Sequence, residues 1–285
     1  MTVQVVSTTS SVLIAPDHTE TRRLAGPHYR LLLTADPTQI EAAQRLRYNV
    51  FSTEPGFALD NETELDADRF DQHCDHVLVR EDNTGEIVGC YRMLPPSGAI
   101  AAGGLYTATE FDVRALDPLR PSMVEMGRAV VRSDHRNGAV ILMMWAGILA
   151  YLDRGGYEYV IGCVSVPTHG EGPAGSQLRG VRDRVLSSHR AAEDYTVHPY
   201  RPVMIDGRDL DSIRPPAQTT LPPLMRGYLR LGAQICGQPA HDPAFGVGDF
   251  PALLDKRHAD LRYLNRLRSA AAAGQPSAAA QGVNH

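Results

Sequence analysis

The chain has 285 residues, 43% hydrophobic and 21% charged, with a formal net charge of -5 and a pI near 6.1. That composition suits a globular protein with a substantial core, and the acidic balance argues against a nucleic-acid partner. The four cysteines, Cys74, Cys90, Cys163 and Cys236, are far apart and form no C-x-x-C pair, which argues against a disulfide framework or a zinc knuckle.

No basic stretch followed by an apolar core opens the sequence, so no secretory signal is expected and a cytoplasmic location follows. The longest apolar run, Val140–Leu152, falls short of the ~20 residues of a bilayer span. A peripheral contact at the inner face of a membrane stays open.

Residues 1–27, rich in Ser and Thr and without a sustained period, read as a disordered leader. A first strand is predicted at Tyr29–Leu33. Asp36-Pro37 joins an N-cap to a proline at the first helical position. The helix that follows sets Ile40, Ala43, Leu46 and Val50 on one face and ends near Phe51. An acidic, turn-rich segment, Glu54–Asp75, leads to strands at His76–Arg80 and Ile87–Leu94, joined by the hairpin signal Asn83-Thr84-Gly85. A Pro/Gly-rich loop from Pro95 to Gly104 comes next, then a strand over Met123–Arg132. Ala139–Leu152 is too long and too evenly apolar for a strand and reads as a buried helix, whereas Tyr157–Val166 reads as a core strand. Beyond Pro167, helices are predicted at Gln177–His189 and Pro222–Leu231, with a short strand at Phe250–Leu254 and a disordered tail over 269–285. Helices alternating with hairpin-linked strands predict one α+β domain over residues 28–268.

The most informative segment is Val124-Glu125-Met126-Gly127-Arg128-Ala129-Val130-Val131, which sets a carboxylate and a guanidinium in an apolar strand. Residues three apart in a regular strand point to opposite faces. Glu125 and Arg128 share a cleft only if the strand is bulged, which Gly127 would permit; otherwise both are solvent-facing residues of an edge strand. Further charged clusters are Arg45 to Phe51 at the end of the first helix, Asp66 to Asp71 with Cys74-Asp75-His76, and Arg92 closing a strand. The consecutive residues His73, Cys74, Asp75 and His76 fit a tetrahedral metal site poorly, so no metal is expected. No hydrolase G-x-S-x-G, P-loop or Rossmann fingerprint is present.

In this order the clusters resemble those of the acyl-homoserine-lactone synthases: Arg47 and Phe51 in R-x-x-x-F, Asp68 and Asp71 in D-x-x-D, Arg92 in G-x-Y-R, Glu125 and Arg128 in E-x-x-R. The sequence is more similar still to the L-ornithine Nα-acyltransferases of ornithine-lipid synthesis. It shares with them Cys74-Asp75-His76-Val77-Leu78-Val79, the segment Leu105 to Asp112, Met144-Trp145-Ala146-Gly147-Ile148, and Gly227 to Gly237. The resemblance covers about residues 29–256. It implies a GNAT-type fold, a mixed and splayed central sheet flanked by helices, with catalysis by Glu125 and Arg128. Arg47, Phe51, Asp68, Asp71 and Arg92 would then bind the amino-acid substrate. Met126 and Gly127 would face the acyl donor, with Arg136 and Gly138 at the loop where this fold cradles a donor phosphate.

The implied reaction moves a long, 3-hydroxy fatty-acyl group from acyl carrier protein to the α-amine of ornithine. The enzyme would need no cofactor of its own beyond the carrier's phosphopantetheine, with coenzyme A as an alternative carrier. Carrier protein is acidic, which makes Arg179, Arg182 and Arg184 candidates for docking it. The competing readings are a lactone synthase, another N-acyl amino acid synthase and a non-catalytic acyl-binding GNAT domain.

Overall fold

The computed structural model describes residues 29–53, 62–136, 138–170 and 172–260, together with Arg262, Leu264, Asn265 and Ser269. The expected leader, and all of the expected tail but Ser269, lie outside the described residues.

Strand β1 (Tyr29–Thr34) leads into α1 (Pro37–Phe51) through the cap the sequence announces. The Asp36 carboxylate accepts from the amides of Thr38 at 3.0 Å and Gln39 at 3.1 Å, satisfying donors that the first turn leaves unpaired. Strands β2 (Asp75–Glu81) and β3 (Ile87–Leu94) make the expected hairpin. The Pro95–Gly104 segment, expected as loop, contains a short helix α2 (Pro96–Ala101), because Pro96 stands at the first helical turn where its missing N–H costs nothing.

Then come β4 (Phe111–Asp112), β5 (Met123–Val131), α3 (Gly138–Gly155), β6 (Tyr159–Pro167) and α4 (Ser176–Ser188). Strand β7 (His198–Pro199) pairs with β4, and β8 (Met204–Ile205) with β9 (Arg208–Asp209). The chain continues through α5 (Pro223–Leu231), β10 (Gln234–Ile235), β11 (Ala240–Asp242) and β12 (Val247–Asp255).

Eight strands form one sheet in the order β1-β2-β3-β5-β6-β12-β10, with β11 also on β12. Every neighbouring pair is antiparallel except β5 and β6. Alternation along β2 sends Val77 and Val79 into the core that α3 covers and Leu78 into the core that α1 covers. Helix α3 is 18 residues long and apolar enough to span a membrane by length and composition, yet Trp145, Ile148, Leu149 and Leu152 are buried in the core of this fold. It lies so close to the sheet that a Cβ on Gly147 would stand 2.9 Å from Leu31.

Strand β12 is longer than the Phe250–Leu254 expectation and pairs with β6 along nine residues. All but its last residue are buried, so no alternation marks it, and Pro251 breaks its β-propensity. The fold tolerates that proline because its carbonyl, which accepts from Cys236 N at 2.8 Å, points to the side where β10 and β11 leave a gap in the ladder.

Candidate active site

Strands β5 and β6 pair only from Met123↔Tyr159 to Glu125↔Ile161. At the parting point the Met126 carbonyl comes so near Gly162 that an added Cβ would lie 2.5 Å from it, an approach only glycine allows. Beyond this point a cavity of about 1010 Å³ lies between Met126–Val131 and Cys163–Pro167, at the upper end of the ~300–1,000 Å³ usual for small-molecule sites. Part of its wall is aromatic. Trp145 meets Tyr228 edge-on at 5.3 Å, and the hydroxyls of Tyr228 and Tyr91 are 2.7 Å apart. Another part carries Glu125, Thr107, Arg92, Arg128, Asp242 and Asp249.

Glu125 is buried at 5% exposure. The turn before β4 holds its carboxylate: Tyr106 N donates to Oε2 at 2.6 Å, and Thr107 donates to Oε1 from its backbone N at 2.7 Å and from its hydroxyl. Burial pushes the Glu125 pKa up, against the lowering effect of these hydrogen bonds. The group is thus a fixed carboxylate with heightened proton affinity at the edge of the cavity.

The expected bulge is present. Between the pairs Cys90↔Val130 and Arg92↔Gly127, one residue of β3, Tyr91, opposes Arg128 and Ala129 of β5. The residue in the left-handed region is Arg128 itself, at φ 52°, not Gly127. Such a conformation costs about 1–3 kcal/mol for a residue with a Cβ. Contacts on several sides hold it: the guanidinium lies 5.1 Å from the Tyr106 ring centroid and 5.6 Å from that of Phe245, and it pairs with two aspartates.

Those pairs belong to a closed ring of alternating charge. Arg47 Nε is 2.9 Å from Asp66 Oδ2, which is 3.2 Å from Arg128 Nε; Arg128 Nη2 is 3.3 Å from Asp68 Oδ2. Asp68 Oδ1 is 2.6 Å from Arg92 Nη1, which is 3.3 Å from Asp71 Oδ1. Asp71 closes the ring by accepting from both Nη atoms of Arg47, at 3.0 and 2.9 Å. Burial alone would raise the Asp71 pKa, but Arg47 and Arg92 hold it well below the usual carboxylate range.

Of the residues expected to bind substrate, Phe51 and Arg92 line the cavity. Arg47, Asp68 and Asp71 instead stand behind its wall, tying α1 and the acidic segment to β3 and β5. Met126, Gly127 and Arg136 also line it, while Gly138 opens α3 without reaching it. The arginines of α4 are not a free patch. Arg182 is buried and paired with Asp183 and Asp211 at 2.7 Å each, Arg179 pairs with Asp183 at 2.6 Å, and Arg184 donates to the Thr219 carbonyl at 3.0 Å. The cations at the cavity include Arg226 and Arg230, exposed and one turn apart on α5.

A second carboxylate group was not singled out from the sequence. Glu110, Asp242 and Asp249 each offer an oxygen within 4.8 Å of the others, an all-oxygen set able to hold a cation. Ser165 Oγ donates to Asp249 Oδ1 at 2.5 Å, whereas Glu110 Oε2 is buried with no hydrogen-bond partner. Burial pushes both Glu110 and Asp249 up, Asp249 and Asp242 adding repulsion to Glu110 and Asp242 to Asp249. Tyr106, Thr107 and Glu110 all lie in the Leu105–Asp112 segment, which carries the family resemblance but no spacing that marks their roles. Asp242 and Asp249 lie well over a hundred positions away, brought near only by β11 and β12.

A family model described as Acetyltransferase (GNAT) domain matches residues 46–146. An L-ornithine N(alpha)-acyltransferase of Brucella abortus is 35% identical over 239 residues, 79% of this chain and 84% of that protein. A protein of the same name from Rhizobium meliloti is 32% identical over 85% of this chain and 84% of its own length. Among solved structures, the coenzyme-A-dependent acyl-homoserine-lactone synthase BjaI superposes with a TM-score of 0.50 at 16% identity, covering 88% of this chain and 92% of that one, a likeness of fold. The chain is an acyltransferase with a GNAT-type fold and belongs to the L-ornithine N(alpha)-acyltransferase family.

Proposed function

We propose that the protein transfers a long-chain 3-hydroxyacyl group from acyl carrier protein to the α-amine of ornithine, the first step of ornithine-lipid synthesis. The observation that carries this reading is the cavity between β5 and β6, which joins a buried carboxylate to an aromatic and apolar wall. The names of the relatives support ornithine as acceptor. Phosphopantetheine, brought by the carrier, enters where Arg136, Arg226 and Arg230 line the cavity, a cationic border suited to its phosphate and to an acidic carrier. The reaction takes place in the cytoplasm, with any membrane contact peripheral.

In the reaction Glu125 takes a proton from the substrate ammonium and later releases it to solvent. The free amine attacks the thioester carbonyl, forming the C–N bond. A backbone N–H near Met126–Gly127, where β6 leaves β5 and the bulge begins, stabilises the tetrahedral oxyanion, a role worth ~3 kcal/mol. The C–S bond then breaks, and the second nitrogen proton passes to the departing thiolate. Neither Cys90 nor Cys163 acts as nucleophile: burial pushes the Cys90 thiol up to about 12 and raises that of Cys163 as well.

The test incubates pure protein with carrier protein charged with several acyl lengths, or with the matching acyl-coenzyme A, and a panel of amines. Mass spectrometry should find N-acylornithine from the carrier donor. A lactone or another N-acyl amino acid as the main product would overturn the reading.

A further inference from the structure

We propose that Glu110, Asp242 and Asp249 form the acceptor-specificity site, taking the side-chain ammonium of a diamino acid whose α-amine is presented to Glu125. The inference rests on the ornithine reading and deepens it, by assigning the residues that tell a diamino acid from a monoamino one.

Three observations support it. The first is charge: among the described residues no salt bridge reaches any of the three, and Arg128 acts on Glu110 and Asp249 only as a weaker, more distant charge. Gathered carboxylates repel one another unless a cation joins them. The second is unused hydrogen-bonding capacity. Glu110 Oε2 makes no hydrogen bond and has only the weakly donating Cys163 thiol near its carboxylate; Asp249, 5% exposed, accepts among the described residues only from Ser165 through Oδ1; and Asp242 uses Oδ1 alone, for the Ala244 and Phe245 amides. An ammonium carries three donors, one for each carboxylate.

The third is position. Asp242 and Asp249 line the same cavity as Glu125. Thr107, whose hydroxyl donates to Glu125, has that oxygen 3.9 Å from Cys163 Sγ, and Cys163 in turn adjoins Glu110. Thr107 and Cys163, both on the cavity wall, thus stand between Glu125 and the trio, so one acceptor in the cavity can present an amine to each.

The experiment compares ornithine with norvaline, which has the same carbon skeleton without the side-chain amine, as acceptors for the wild type, Asp249→Asn and Asp242→Asn. The wild type should prefer ornithine by at least ~10²-fold in kcat/KM, because a desolvated polar site strongly rejects an analogue lacking its partner. Each variant should cut that ratio by ~10-fold or more, mainly through the KM for ornithine. Equal use of the two amines by the wild type, or a ratio unchanged in both variants, would overturn the proposal while leaving the acyltransferase reading intact. Should neither variant fold, Glu110→Gln is read in their place, with the same fall in the ratio expected and an unchanged ratio against the proposal. Failure to acylate any amine from any thioester would instead overturn the proposed function and this inference with it. Loss of the preference in EDTA and its return with magnesium would assign the trio to a metal ion and contradict the proposal.

Discussion

Two groups of three carboxylates stand beside the same cavity and are built in opposite ways. Asp66, Asp68 and Asp71 are interleaved with Arg47, Arg92 and Arg128, so each buried charge has two partners of opposite sign. Glu110, Asp242 and Asp249 have the Cys163 thiol, the Ser165 hydroxyl and the Ala244 and Phe245 amides around them and, among the described residues, no ion pair with an arginine. Desolvating an ion costs several kcal/mol unless other groups compensate it. The first group meets that cost within the chain and becomes architecture. The second leaves it uncompensated beside a cavity, where a substrate can supply the missing charge.

Breaking the ring should have the largest effect. Arg47→Ala strands Asp66 and Asp71 in a buried site and is expected to cost about 3–5 kcal/mol in urea unfolding. A loss below ~1 kcal/mol would make the ring dispensable. Its pH signature follows from the lowered Asp71 pKa. The stabilisation is present above the ordinary carboxylate range of ~4 and is lost as pH falls below it, so Asp71→Asn should flatten the acid side of the stability curve.

The trio should respond with the opposite sign. The folded-state pKa of Glu110 is raised to about 8 and that of Asp249 to about 6. Their destabilising contribution is absent below ~4 and grows as pH rises through these values. Asp249→Asn should therefore stabilise the substrate-free protein at pH 8 by ~1 kcal/mol, seen as a Tm a few degrees higher. At pH 4 the gain should vanish. A Tm lowered at both pH values would mean that the trio is satisfied within the chain. The smallest effect belongs to the exposed i,i+4 pair Arg45–Glu41, 3.2 Å apart: Glu41→Ala should change stability by no more than ~0.5 kcal/mol.

The same contrast separates what could be read from the sequence. Asp36-Pro37, Asn83-Thr84-Gly85 and the long apolar run of α3 are local signals, and their elements formed where they predict. Helix α2 was hidden because Pro95-Pro96 reads equally as a turn, and β12 because burial on both faces removes alternation. Glu125 and Arg128 stand out as charges in an apolar strand; their spacing leaves a bulged strand and an exposed edge strand both open, and the structure has the bulge. That Arg128, not Gly127, takes the strained conformation depends on Asp66, Asp68 and two aromatic rings distant in the chain. The trio depends on three segments meeting in space, and no spacing in one dimension records that.

The most direct test of the central claim, that Glu125 accepts the proton of the attacking amine, is acyl transfer to ornithine by folded Glu125→Gln protein. The glutamine keeps the shape and one Oε acceptor for the Thr107 donors, gives up the acceptor that Tyr106 N–H uses, and cannot take a proton. At saturating acceptor, kcat should fall by ~10²–10⁴-fold in protein whose cooperative thermal unfolding shows it folded, with Tm lowered by the lost Tyr106 acceptor. Full activity in that variant would contradict the account.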